Sequence, residues 1–290
     1  MKKKVIDTIE SVVYTIPAML LVTIVIYVPF VLSGYYSFTR WNGIARSPEF
    51  IGIGNFKAIF TAGGDFFKSL AFTTKYTVLF MLGTNVIALI LAIALVKKFR
   101  LAHVMRGIFF IPYIMSMTIV GFIWRFIFSS GFNTFYAMTG WGFFNWSWLG
   151  TPALAFYSVV AVGIWQSLGF YIVLYIAGLE AMPQDVLEAA IVDGATGLIK
   201  LVRVILPLLM PSIATCMFMS LTNALKVFDI ILALTKGGPG GSTYSVTLTI
   251  YRDAFQNNQY GFGSAESLVF FIIVLGLTQI VLRMFRSDDL

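Results

Sequence analysis

Residues 181–207 read AMPQDVLEAAIVDGATGLIKLVRVILP, an amphipathic stretch set between two long apolar runs. Pro183 suits the first turn of a helix, and Gly194 suits its C-terminal stop. Between them Leu187, Ala190 and Ile191 share a face at helical spacing. A second short helix from about Ala195 leads into the next apolar run. Ala189, Ala190 and Ala195 leave little side chain between this backbone and whatever lies against it. The stretch therefore predicts a short helix lying along a membrane face.

The apolar runs around it are long enough to cross a bilayer, which takes about 20 residues for roughly 30 Å of hydrocarbon. Six qualify: residues 12–36, 76–96, 107–128, 152–179, 206–234 and 264–282. Lipid-facing backbone must satisfy its own hydrogen bonds, so each run is expected to be helical. An all-α membrane protein of six spans follows, a single transmembrane domain over residues 1–290 with the loop at 180–206. Composition agrees, because 59% of the residues are hydrophobic and only 11% are charged. A water-soluble fold would have to expose more apolar area than such surfaces tolerate.

Basic residues orient the spans. Lys2, Lys3, Lys4, Lys97, Lys98, Arg100, Arg106, Lys200, Arg203, Arg283 and Arg286 lie on one side. Arg40, Arg46, Lys57, Lys68, Lys75, Lys236 and Arg252 lie on the other, five of these seven in one long loop. Positive charge favours the inside, which makes both termini and the 180–206 loop cytoplasmic. Trp141, Trp146 and Trp148 then crowd an outer loop, where belt or loop packing is favoured over contact with a ligand or partner. The net charge of +7 comes with no basic stripe or reader motif, so nucleic acid is not an expected partner. One cysteine, Cys216, and one histidine, His103, supply neither a disulfide nor a metal site.

The loop admits two readings, a helix resting on lipid or one docked on a protein. Glu180, Asp185, Glu188 and Asp193 precede any basic residue, and anionic lipid would repel that half. Docking on another protein is favoured. Glu188-Ala189-Ala190, Asp193-Gly194-Ala195 and Val204-Ile205-Leu206-Pro207 also resemble the EAA loop of binding-protein-dependent ABC importer permeases. That pattern is Glu-Ala-Ala, three residues, Gly, nine residues, Ile, any residue, Leu-Pro, with Val204 here replacing Ile. The resemblance implies a coupling helix seated in a groove of an ATPase chain, through Glu188, Ala189, Ala190, Asp193 and Gly194.

A second set of residues resembles the first subunit of maltose-type sugar permeases. It comprises Phe228-Asp229, Leu234-Thr235-Lys236-Gly237-Gly238-Pro239 and Ser242-Thr243. Ile53-Gly54-Asn55-Phe56, Pro112-Tyr113, Trp165 and Gly169 add to it. The glycine run at 237–241 is no phosphate cradle, since no Gly-Lys-Ser/Thr follows. No cofactor is therefore expected on this chain. The resemblance implies ATP and Mg²⁺ on a partner ATPase dimer, a second related permease subunit, and a periplasmic or extracellular sugar-binding protein. It also implies a bacterial or archaeal cytoplasmic membrane.

Polar residues within spans mark candidate function. Lys226 and Asp229 stand three apart, so a continuous helix would let them pair. Arg125, near a span end, can snorkel. A sugar site wants amides, hydroxyls and aromatic faces. Ser220, Asn223, Ala224 and Val227 form one stripe, Tyr113 and Met117 a second, and Gln166 and Phe170 a third. In the resembled permease, the positions of Tyr113, Met117, Phe170, Ser220, Asn223, Ala224 and Val227 line the sugar site. Ordinary packing by small and polar residues remains open for each. Permeases for glycerol phosphate or polyamine would share the EAA loop. A secondary carrier would usually show internal repeats, and none is visible.

Overall fold

The computed structural model describes residues 2–61, 64–96 and 101–285. Lys97, Lys98, Arg100 and Arg286, and the side chains of Lys2, Lys3 and Lys4, lie outside what is described. In chain order the helices begin with α1 (Lys2–Val22) and α2 (Val28–Tyr36), joined by a π turn at Thr23–Tyr27. A two-residue hairpin follows, β1 (Thr39–Arg40) paired antiparallel with β2 (Glu49–Phe50). Then come α3 (Gly54–Thr61), α4 (Gly64–Leu95), α5 (Ala102–Ile114), α6 (Met117–Phe126), α7 (Phe132–Thr139) and α8 (Pro152–Glu180). The loop of the opening reading holds α9 (Gln184–Val192) and α10 (Gly197–Lys200). The remainder is α11 (Leu206–Leu208), α12 (Met210–Leu225), α13 (Asp229–Leu234), α14 (Val246–Tyr251) and α15 (Tyr260–Phe285).

Among the described residues, four helices alone are long and apolar enough to span a membrane: Val12–Tyr36, Gly64–Leu95, Pro152–Glu180 and Tyr260–Met284. Two bent pairs raise the number to six. The third expected span, 107–128, is broken by a 96° bend between α5 and the helical stretch from Met117. Pro112, inside α5, cannot donate to the Ile108 carbonyl, and the chain leaves helical geometry within the next turn, at Met115 and Ser116. The fifth, 206–234, bends by 70° at Leu209 and then stops at Leu225. Pro211 cannot donate to the Pro207 carbonyl, so the break falls between these two prolines. The second span begins at Gly64 rather than Tyr76, because the preceding polar turns are helical too.

Two compact units divide the chain. The first is Met1–Gly64 with Ile250–Ile272, and the second is Asp65–Thr249 with Ile273–Leu290. In the first unit Asn55 donates to the Ser37 and Thr39 carbonyls at 2.9 and 2.8 Å, tying α3 to the chain leaving α2. Tyr36 stacks on Trp41 in the same region.

The second unit is built on α8, whose Leu168, Tyr171, Ile172, Tyr175 and Ile176 are buried against Ala88 and Ala92 of α4 and Cys216 of α12. Small residues permit close approach, the usual basis of helix association in lipid. A Cβ on Gly169 would overlap the Phe109 carbonyl and Phe110 Cα of α5. One on Gly121 would overlap Ala233, where α6 meets α13. The aromatic loop packs on itself, with Trp148 against Phe128, Phe132, Phe143 and Trp146 and its Nε1–H on the Phe143 carbonyl at 3.1 Å. Loop packing thus accounts for Trp146 and Trp148.

Candidate functional site

Where α12 stops, its stripe opens onto a cavity of about 240 Å³. The break has a local cause: Phe228 leaves helical geometry, at φ −142° and ψ −63°, and α13 restarts at Asp229. A helix ending inside a bundle strands a carbonyl, which costs free energy unless it is paired. Here the Val227 carbonyl accepts from Ser245 Oγ at 2.7 Å and Thr247 Oγ1 at 2.6 Å. Those hydroxyls arrive through the glycine run. Gly237 and Gly238 sit at φ +97° and +72°, a turn that needs residues without Cβ. Thr73 of α4 accepts the Val246 N–H at 3.0 Å and anchors the far side of the loop.

Six of the eight expected pathway residues line this cavity: Tyr113, Met117, Gln166, Asn223, Ala224 and Val227. Phe170 stands behind the wall, its ring stacked on Tyr113 at 4.9 Å. Gln166 donates to the Tyr113 carbonyl at 3.3 Å and accepts from Ser167 at 3.2 Å, so its amide is held in place. Asn223 reaches the Tyr171 hydroxyl at 3.4 Å. Ser220 is placed differently. It is fully buried and accepts from Asn85 Nδ2 at 2.8 Å, while Asn85 Oδ1 accepts from Tyr175 at 2.7 Å. Ser220 thus belongs to a network tying α4, α8 and α12 together and is not part of the wall.

The expected Lys226–Asp229 pair does not form. With the helix ending at Leu225, a spacing of three no longer places the two side chains on one helical face. Both residues are exposed and both line the cavity. Sequence reasoning missed Tyr76, Phe80, Ser167, Phe228 and Ile230 in the wall. Phe72, Tyr76 and Phe80 recur at spacings of four and their rings stack in series, a stripe that marked one face of the second span.

At the C-terminal end of α8 stands the loop that holds α9 and α10. Its helix α9 has no fully buried residue, and only Leu187 packs onto the core. Glu188, Ala189, Asp193 and Gly194 are exposed, and Ala190 is half-buried. Gly194 ends the helix at φ +83°, with its N–H on the Ile191 carbonyl at 3.0 Å and the Ala195 N–H on the Ala190 carbonyl at 2.9 Å. Val192 and Leu198 are 87% and 74% exposed, so the loop presents an uncovered apolar surface beside its carboxylates.

Comparison with known proteins adds the family. Residues 84–286 match the model described as binding-protein-dependent transport system inner membrane component. The chain is similar to the probable starch degradation products transport system permease protein of Thermoanaerobacterium thermosulfurigenes, at 37% identity over 94% of each chain. It is also similar to the multiple sugar-binding transport system permease protein of Streptococcus mutans, at 35% identity over 94% of this chain and 93% of the other. In fold it matches a bacterial ABC transporter chain from a crystal structure concerned with import of the acidic polysaccharide alginate. That TM-score is 0.83 at 20% identity, covering 100% of both chains. With its bent spans, exposed α9 and family match over more than half its length, the chain belongs to the binding-protein-dependent transport system inner membrane components.

Proposed function

We propose that this chain forms half of the membrane pathway of an ATP-driven carbohydrate importer. The cavity at the α12 break carries the reading. Its wall offers the fixed amide of Gln166, the amide of Asn223, the hydroxyl of Ser167 and the ring of Tyr113. Hydroxyl-rich rings with weakly apolar faces fit such a mixture. Similarity to permeases named for sugars supports the same substrate class. Lys226 alone would favour an anion and Asp229 alone a cation. Together they leave the wall without net charge, which favours a neutral sugar over glycerol phosphate or a polyamine.

The energy source is a separate ATPase dimer, carrying ATP and Mg²⁺, that grips α9 through Glu188, Ala189, Ala190, Asp193 and Gly194. A second permease subunit completes the pathway, and a soluble sugar-binding protein delivers substrate on the opposite face. The termini lie on the cytoplasmic side of a bacterial or archaeal cytoplasmic membrane. Uptake by the complete complex in proteoliposomes tests this reading. Asn223→Ala with Gln166→Ala should lower sugar uptake at least about tenfold, the loss of two hydrogen bonds, while binding-protein-stimulated ATP hydrolysis persists. Unchanged sugar uptake in that variant, or uptake of glycerol phosphate in preference to sugar, would overturn it.

A further inference from the structure

At the end of α8 away from α9 lies a second cavity, of about 470 Å³, whose lining includes Lys68, Phe72, Lys75, Phe156, Tyr157 and Ser242. Its depth is set by sequence. Lys75 is the last charged residue before the uncharged run of residues 76–96, so it stands where α4 enters hydrocarbon. Lys68 lies two helical turns back toward water and shares its charge with Asp65 at 3.7 Å. Lys75 has no ion-pair partner among the described residues. An ammonium at that boundary gains from any counter-charge that water does not already screen. Ser242 Oγ, also in the lining, is buried with no hydrogen-bond partner. Two cations thus border one space.

The remaining wall is aromatic. Phe72 and Phe156 meet edge to face at 5.5 Å, and Tyr157 stands beside Phe156. A soluble anion gains nothing from those rings, whereas the glycerol and first methylenes of a lipid do. The lining offers no carboxylate to receive a choline or ethanolamine group. We propose that this cavity binds the phosphate-bearing headgroup of an anionic membrane lipid, drawn from the leaflet at the N-terminal end of α8. The site is separate from the sugar cavity and does not depend on its assignment.

Native mass spectrometry of the full chain, in its assembled complex and taken from nanodiscs of mixed phosphatidylglycerol and phosphatidylcholine, tests the site. The wild type should retain phosphatidylglycerol preferentially. Lys75→Ala should reduce that preference about fivefold, Lys75→Arg should keep it, and Lys57→Ala, at an exposed lysine elsewhere, should not change it. Equal retention by wild type and by Lys68→Ala/Lys75→Ala would overturn the proposal. So would displacement by inorganic phosphate as effective as that by phosphatidylglycerol, which marks a soluble-anion site. Cross-linking of Tyr157→Cys to a partner chain, with lipid excluded, would also overturn it.

Discussion

Arg106 of α5 and Glu180 at the end of α8 are joined at 3.3 Å, and the same guanidinium nitrogen donates to the Leu95 carbonyl at 2.9 Å. One side chain therefore ties together the C-terminal end of α4, the start of α5 and the residue from which the α9 loop departs. Along the same two helices, Gly169 seats α5 on α8 and Gln166 holds the Tyr113 carbonyl. The pair is fastened near both ends, one beside the loop and one in the cavity wall. Glu180 is 56% exposed, so the ion pair itself contributes little, under about 1 kcal/mol. Arg106→Ala should leave the fold intact while lowering uptake per ATP hydrolysed. The Arg106→Glu/Glu180→Arg exchange should recover part of that ratio in proteoliposomes. An unchanged ratio in Arg106→Ala would show that the tie transmits nothing.

Gly194 adopts φ +83° with open space around the position a Cβ would take. A substitution there is penalised by backbone conformation, by about 1–2 kcal/mol for an ordinary L-residue. Gly194→Val should change the exit from α9 without disturbing the core. Its expected signature is normal membrane insertion with ATP hydrolysis uncoupled from uptake, and Glu188→Ala should behave alike. Uptake equal to wild type in Gly194→Pro would remove α9 from the coupling role.

Asn85 serves Tyr175, Ser220 and the Met81 carbonyl at once. Asn85→Ala leaves two buried hydroxyls without that partner and should destabilise the detergent-solubilised protein by about 1–3 kcal/mol. Ser220→Ala loses its bond from Asn85, about 0.6 kcal/mol by membrane-protein averages, and an intrahelical one to the Met217 carbonyl. Thermal-shift measurements should rank Asn85→Ala well below Ser220→Ala. Ser220→Ala should also leave the sugar concentration for half-maximal uptake unchanged, which a residue in contact with sugar would not.

Gly169→Val places its side chain on the Phe109 carbonyl, a backbone atom that cannot rotate away. Overpacking of this kind costs about 1–3 kcal/mol or more. The variant should reach the membrane at reduced level, and its α5 should become more accessible to cysteine labelling at Phe110→Cys.

Much of this was legible from residue spacing. Apolar runs of about 20 residues placed the spans, and Pro183 and Gly194 bracketed α9 within a residue or two at each end. The breaks were harder. Pro112 and the pair Pro207 and Pro211 signal lost backbone donors, yet hydropathy averages across a bend without registering it. The same averaging carried one helix through Lys226, which made a pair of two residues that the break separates. Tyr76 and Phe80 went unmarked because nothing local says which face of a buried helix meets empty space. Ser220 looked like a ligand because its partner, Asn85, lies 135 residues away.

The hydroxyl clasp on the Val227 carbonyl has a mechanical consequence. A backbone amide in that place could let go only if its own helix unwound. Ser245 and Thr247 can let go by turning about a single side-chain bond. The cavity's rim is thus secured by side-chain hydroxyls, and its release also gives up the Leu248 N–H that Ser245 Oγ accepts at 3.2 Å at the start of α14.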